Sequence, residues 1–425
     1  MTQLVNGVAG AIGSLALLAL AMLHLESIAS LAQVPILLWG LSLAWAWLRW
    51  SASPGFGNAL LIGVIAGWAA VTRPADALCL AVPLAIAVLL RLPTCARLVR
   101  ITSPAGMIAG AVPFLALQVV FNFGVTGSAM KTPHAHYRDR DLPAVTFGFK
   151  EFDAERAPQA GVLQKRLMYR DWAIPAAAEH SLANVPMRLA SELVPVTFRT
   201  ALAHPLLLIL LPVGLMQGFS RGRYVVWGVL PLFLLLYAGY PFFVPHYALV
   251  VAPASILLVV LALPALESTW RGSSTGVALA IAALCIGSLP QLDRHRDDGF
   301  VVMPAMDFSV RTLPRTIRQP ALVLFRFSPG QNVHDEPVYN IDTPNPDDAD
   351  IIRAHNLGPH KNREIIEYYG RRQPDRHVYV VDRADLSCRY AGRAGDLWRE
   401  LAAADAGAAP SAATTKPLGP SLSVP

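Results

Sequence analysis

The stretch Asn58–Leu90, NALLIGVIAGWAAVTRPADALCLAVPLAIAVLL, carries only two formally charged residues, Arg73 and Asp76. As one straight helix it would be roughly 50 Å long at ~1.5 Å per residue, well beyond the ~30 Å of bilayer hydrocarbon. Pro74 follows the arginine, and a residue before proline is pushed out of helical geometry. The stretch therefore predicts two short helices meeting at Thr72-Arg73-Pro74. Each spans only ~22 Å, so the joint is expected below the membrane surface, inside protein or a wet cavity. A cation held there is expected to serve a function, and an anion is its natural ligand.

The rest of the chain has the same character. Its 425 residues are 54% hydrophobic and 15% charged, against about 25% charge in soluble domains. The apolar residues come in blocks of helix-spanning length, which predicts an α-helical polytopic membrane protein with about nine spans. These lie near 4–23, 29–48, 58–72, 75–90, 104–124, 201–219, 224–241, 247–266 and 274–290. Arg49, then Arg91, Arg97 and Arg100, then Arg221 and Arg223, then Arg271 fall in alternate links. They share one side, which the positive-inside rule makes cytoplasmic. A single span over 58–90 would put Arg49 and the Arg91–Arg100 cluster on opposite faces, so the charge pattern supports the hairpin independently. The net charge of +6 reads as membrane topology rather than nucleic-acid binding. Met1-Thr2-Gln3 lacks the basic start of a signal peptide, so the first block is expected to be a retained helix. The expected location is a bacterial inner membrane.

The opposite, periplasmic face receives a short loop at His24–Ser27, the Arg73 joint, a long loop over about 125–200, the link Pro241–His246 and the chain after Pro290. Within the long loop, Asn184–Val194 predicts an amphipathic helix ended by Pro195. Three regions follow: a helical bundle over 1–290, a periplasmic α/β cap over 291–401 and a disordered tail over 402–425 rich in Ala, Ser, Thr and Pro. In the cap, Val323–Phe327 and His377–Val381 predict strands, and Asn362–Tyr369 a helix ended by Gly370.

Candidate chemistry gathers on the outer face. Arg73 suits a phosphate; the plainer role is an arginine snorkelling to the interface or paired with Asp76. His246 and Tyr247 open the eighth span, where His246 would be a second phosphate contact and both would also suit an interface belt. Lys131 and Arg138, with His134, His136 and Arg140, suit an anionic headgroup or lipid-linked phosphate; the alternative is a solvated loop balanced by Asp139 and Asp141. His134 and His136 lack a third metal ligand. Glu26 is placed for a general base, although a polar helix end is the commoner role. Cys79, Cys95, Cys285 and Cys388 are too scattered for a metal site or a disulfide framework. No phosphate loop, dinucleotide fingerprint or zinc signature is present, so no cofactor is implied.

Gly63-Val64-Ile65-Ala66-Gly67, Val71-Thr72-Arg73-Pro74, Tyr137, Phe147-Gly148, Pro245-His246-Tyr247 and Ala252-Pro253 resemble, in order and common face, the GT-C class of polytopic glycosyltransferases. That group includes protein mannosyltransferases and bacterial aminoarabinose transferases. Val338-Tyr339-Asn340 and Ala354-His355-Asn356-Leu357-Gly358 resemble the outer tail of bacterial members. The resemblance implies transfer of a sugar from a polyprenyl-phosphate-linked donor to an acceptor on the outer face. It implies Arg73 and His246 near the lipid phosphate and the Lys131–Phe149 loop over the site. In that family the carboxylates acting on the acceptor lie in a large first outer loop, whereas the corresponding link here is His24–Ser27. The chain is therefore expected to match the later two-thirds of such an enzyme, without its N-terminal catalytic part: a truncated sequence, a split enzyme whose separate partner supplies that part, or a non-catalytic relative. The alternative is a non-catalytic integral membrane protein that binds a lipid-linked phosphate.

Overall fold

The computed structural model describes residues 3–28, 32–143, 145–149, 158–219, 222–290, 303–340 and 343–407. The chain forms two compact units. The first comprises Met1–Asp139, Pro143–Arg156 and Pro175–Phe300; the second comprises Arg140–Leu142, Ala157–Ile174 and Val301–Pro425. Part of the expected outer loop thus folds with the C-terminal region. The boundary expected at 290/291 lies at the edge of 291–302, which are outside the described residues.

The first unit is helical and membrane-type. Pro74–Thr94, Arg97–Thr126 and Pro245–Thr269 are long and apolar enough to cross a bilayer. Two bent pairs, Gly7–Leu18 with Ala21–Ser27 and Leu182–Ala201 with Pro205–Met216, raise the number to five if each is one span. The nine expected spans are therefore corrected to three to five among the described residues. Phe56–Thr72, Tyr224–Ala238 and Ser273–Ser288 are apolar but short. Gln33–Ala52 is long enough, but four tryptophans and Arg49 lower its hydropathy. His24–Ser27 is not a loop: it continues the helix Ala21–Ile28, bent 59° from Gly7–Leu18. Pro195 does not end its helix either. A π turn at Leu189–Leu193 precedes it, the helix resumes over Val194–Ala201, and the wider turn accommodates the missing N–H.

Pro245–Thr269 is the central element, with 78% of its apolar window buried, whereas Arg97–Thr126 is peripheral at 11%. Arg97–Thr126 packs against Phe56–Thr72 along a seam of glycines. A Cβ on Gly63 would sit 2.0 Å from the Met107 carbonyl oxygen, and one on Gly110 would sit 2.3 Å from that of Leu60. Close backbone approach through small residues is how helices associate where lipid replaces water. Near the seam Trp50 is fully buried and donates to Ser103 Oγ at 3.0 Å.

In the second unit, strands β1 (Ala321–Arg326), β2 (Ile351–His355), β3 (His377–Asp382) and β4 (Cys388–Arg393) form one sheet in the order β2-β1-β3-β4. β1 pairs in parallel with β2 and β3, and β4 is antiparallel to β3. Both faces of β1 are buried: Leu322 and Leu324 face Ile366, Tyr369 and Leu397, while Val323 and Phe325 face Leu313 and Ile351. A strand covered on both sides reads as a continuous apolar run, as Ala321–Phe325 does. Gly370 lies inside the helix Pro359–Arg372 rather than ending it. A Cβ there would come within 2.5 Å of Trp398 Cβ, so the residue serves close helix packing. The helix Ala394–Gly407 also runs past Ala402, where disorder was expected, because alanines favour helix; 408–425 are outside the described residues. Asp347 accepts the hydroxyls of Tyr368 at 2.6 Å and Tyr369 at 2.9 Å. Those bonds hold its carboxyl below the usual range.

Two predictions follow from this packing. Gly110→Leu is expected to lower thermal stability in detergent, since overpacking costs about 1–3 kcal/mol even without a backbone obstruction. Gly124→Leu, on the same helix with open space around it, is the control. Because the Asp347 carboxyl is depressed on folding, its stabilisation is present above about pH 4 and fades as pH falls through its folded value. The gap in melting temperature between wild type and Asp347→Asn should therefore narrow from pH 6 towards about pH 3.

Candidate functional site

The joint in the opening stretch is where the sequence places it. Phe56–Thr72 ends and Pro74–Arg91 begins at Arg73, whose backbone is extended at φ −150° and ψ 91°. Pro74 occupies the first turn of the second helix, where its missing N–H costs nothing. The break turns the Arg73 side chain into a polar triangle. Its Nε donates to Asp76 Oδ2, and its Nη2 donates to the Tyr237 hydroxyl at 3.2 Å. The Tyr237 hydroxyl donates to Asp76 Oδ1 at 2.9 Å. Asp76 is 1% exposed, whereas the guanidinium side chain is 20% exposed. Nη1 has no hydrogen-bond partner among the described residues. The pairing with Asp76 weighed from sequence is therefore present, and one edge of the cation still points away from it.

The His246-Tyr247 pair comes to the same place. The Arg73 guanidinium lies 4.8 Å from the centre of the Tyr247 ring, a cation–π contact. Tyr247 is 5.3 Å from Tyr237 and packs edge-on with His246 at 4.8 Å. His246 Nδ1 in turn lies 3.6 Å from Glu26 Oε1. Glu26 is only 5% exposed, and its buried Oε2 has no hydrogen-bond partner among the described residues. A carboxylate in that state is costly and rare, and within an apolar helical unit it points to a role beyond packing. Sequence alone favours a polar helix end for Glu26, because its neighbour His246 lies far along the chain.

The expected Lys131–Arg140 loop is a helix, Pro133–Asp141. Lys131 Nζ and Arg138 Nη2 both bind Asp139, at 3.1 and 3.2 Å. Burial alone would raise the Asp139 carboxyl, but these two bonds and charges bring it down. The three residues retain one net positive charge. Arg138 Nε is buried without a partner among the described residues. Arg73, His246 and Tyr247 belong to one neighbourhood, and Lys131 and Arg138 meet on Asp139. His134 and His136 gather no third ligand, and no group able to hold a metal occurs among the described residues.

A short strap crosses this aromatic group. Phe147 stacks on Tyr240 at 4.5 Å, Phe149 stacks on His180 at 4.8 Å, and Gly148 N donates to Gly239 O at 2.7 Å. Arg188 Nη1 lies 2.6 Å from His180 Nδ1 and Nη2 donates to Tyr240 O at 3.2 Å. Burial and the Arg188 charge push His180 below its ordinary value, which keeps it a neutral acceptor for that guanidinium. The family resemblance led to Phe147 and Gly148; nothing in the sequence pointed to His180 or Arg188.

Removing one member of the triangle should be costly. Asp76→Asn is expected to destabilise by about 2 kcal/mol, below the ~3–5 kcal/mol of a fully buried pair because the guanidinium keeps some water. Tyr237→Phe should cost about 1 kcal/mol. Chemical unfolding in detergent checks both, and equal stability of Asp76→Asn and wild type would show that the pair holds nothing. No protein-family model, curated protein or solved structure matches this chain, so the reading of the site rests on its own residues.

Proposed function

We propose that the membrane unit is a glycosyltransferase of the GT-C kind, taking a sugar from a polyprenyl-phosphate-linked donor to an acceptor hydroxyl on the periplasmic face of a bacterial inner membrane. The observation that carries this reading is the meeting of a partly satisfied cation, Arg73, with a buried carboxylate, Glu26, one of whose oxygens has no partner among the described residues, across His246 and Tyr247. Group transfer from a phosphate needs both signs of charge: a fixed cation where phosphate charge develops, and a base where a hydroxyl loses its proton.

In this reading Arg73 Nη1 binds the donor phosphate, with His246 and Tyr247 beside it and Lys131 and Arg138 at the rim. The acceptor oxygen attacks the anomeric carbon and forms the new glycosidic bond. The bond from that carbon to the phosphate oxygen breaks, and its electron pair leaves with the polyprenyl phosphate. Glu26 takes the acceptor proton, with His246 orienting it, so a base is present in this chain without a separate catalytic partner. The same proposal keeps the C-terminal region periplasmic.

One observation favours a second reading. Asp76 already balances the Arg73 charge, as it would in a protein that binds a lipid-linked phosphate without transferring the sugar. The two readings part at Glu26. Sugar release from a polyprenyl-phosphate donor should fall about 100-fold or more in Arg73→Gln and in Glu26→Gln, the range for one electrostatic or acid–base group. Donor binding should weaken only in Arg73→Gln. Wild-type transfer by Arg73→Gln at normal expression would end the glycosyltransferase reading. Donor binding with no transfer by wild type would select the lipid-binding protein.

A further inference from the structure

The second unit carries a cluster of ionisable side chains along the carboxyl edge of its parallel strands. Arg326 ends β1, His355 ends β2, Asp382 ends β3, and Arg383 follows directly. The connection leaving β1 runs to β2 on one side, and that leaving β3 runs to β4 on the other. Open α/β sheets bind ligands outside the carboxyl ends of strands at such a reversal. Both faces of this sheet are covered by apolar side chains.

The two ends of the sheet differ in how well they are satisfied. At the amino end Arg376 is 3% exposed and saturated: Nε donates to Gln373 Oε1, Nη1 to the carbonyls of Ala321 and Ala349 at 3.0 Å each, and Nη2 to that of Asp347 at 3.3 Å. That is a structural arginine. At the carboxyl end the pairs are long. Arg326 Nη1 is 3.8 Å from Asp382 Oδ2, and His355 Nε2 is 3.5 Å from Glu336 Oε2. Arg383, 6% exposed, donates through Nη1 to Gln164 Oε1 and through Nη2 to the carbonyls of Asp335 and Asn332. Its Nε is buried with no partner among the described residues, and so is Gln331 Nε2 in the neighbouring loop. Both orphans are donors. The Asp335 carboxylate is directed elsewhere, accepting from Ala305 N and Met306 N at 2.8 and 2.9 Å.

We propose that this carboxyl edge binds an oxyanion of phosphate or carboxylate type. Arg326 and His355, both reachable from solvent, are the contact residues, and Arg383 is the fixed positive charge beneath them. An oxyanion supplies Arg326 with a close acceptor in place of the loose hold of Asp382. A guanidinium is well suited to that exchange, because its planar fork fits either anion in two-point contact. Neither contact residue is shared with the Arg73 site, so the inference does not depend on glycosyl transfer.

The test uses the full-length chain in detergent carrying Arg73→Gln, which removes the membrane site from the measurement. Inorganic phosphate and succinate are titrated separately by calorimetry at constant ionic strength. Saturable binding of either, with a Kd near or below about 1 mM, is expected; the anion that binds identifies the class. Arg326→Gln, at a half-exposed position, should weaken it about five-fold or more without moving the melting temperature. Arg383→Gln should abolish it but risks the packing around Gln164, which is why Arg326→Gln decides. Absence of saturable heat with both anions, or affinity unchanged in Arg326→Gln, would overturn the proposal.

Discussion

The membrane unit depends on one ionic contact in an apolar setting, that of Arg73 with Asp76. A charge inside a bilayer-type helical bundle is unfavourable unless it is paired and hydrogen-bonded. The chain meets that demand by breaking a helix. With Pro74 fixing the start of the second helix, the backbone at Arg73 turns extended, and its side chain reaches an aspartate three residues on and a tyrosine from a distant helix. The Tyr237 hydroxyl closes the triangle and so ties Tyr224–Ala238 to the joint. Tyr247 then lies against the guanidinium, and Phe243 packs edge-on against both Tyr237 and Tyr247.

The same constraint explains why a satisfied ion pair can still be a site. Asp76 is buried, but the cation is not wholly enclosed. Fixed in place on three sides, Arg73 has little rotational freedom left to lose when an anion arrives, which is the advantage of a preorganised charge. Glu26 is the opposite case, a carboxylate enclosed with one oxygen unmatched. A bundle that satisfies one carboxylate with two bonds and leaves an oxygen of another unmatched is treating the two differently.

How much of this was legible depended on the distance over which each residue found its partner. The break at Arg73 was visible because its cause, Pro74, is adjacent, and Asp76 was visible as a partner one helical turn away. β1 and β3 were visible because doubly buried strands leave dense apolar runs. β4, Cys388–Arg393, was not, because as an edge strand it carries mostly exposed and polar residues. The Glu26–His246 approach and the role of Gln164 depend on contacts across some two hundred residues, which no local pattern encodes. Gly370 misled because glycine marks helix ends more often than helix crossings. The nine expected spans exceed the three to five among the described residues because several apolar blocks form short or sharply bent helices.

The segment 157–174 has a practical implication for dissecting this molecule. It is flanked on both sides by chain that belongs to the helical unit, yet it folds with the sheet, and Gln164 fills the space beside Arg383. The backbone passes between the units at 139/140, 142/143, 156/157, 174/175 and 300/301. Along the sequence the two units alternate rather than follow one another. A C-terminal fragment cut at 301 would lack the very residue that caps its buried guanidinium, so the sheet is not a detachable module, and any excised version must bring the 157–174 insert with it.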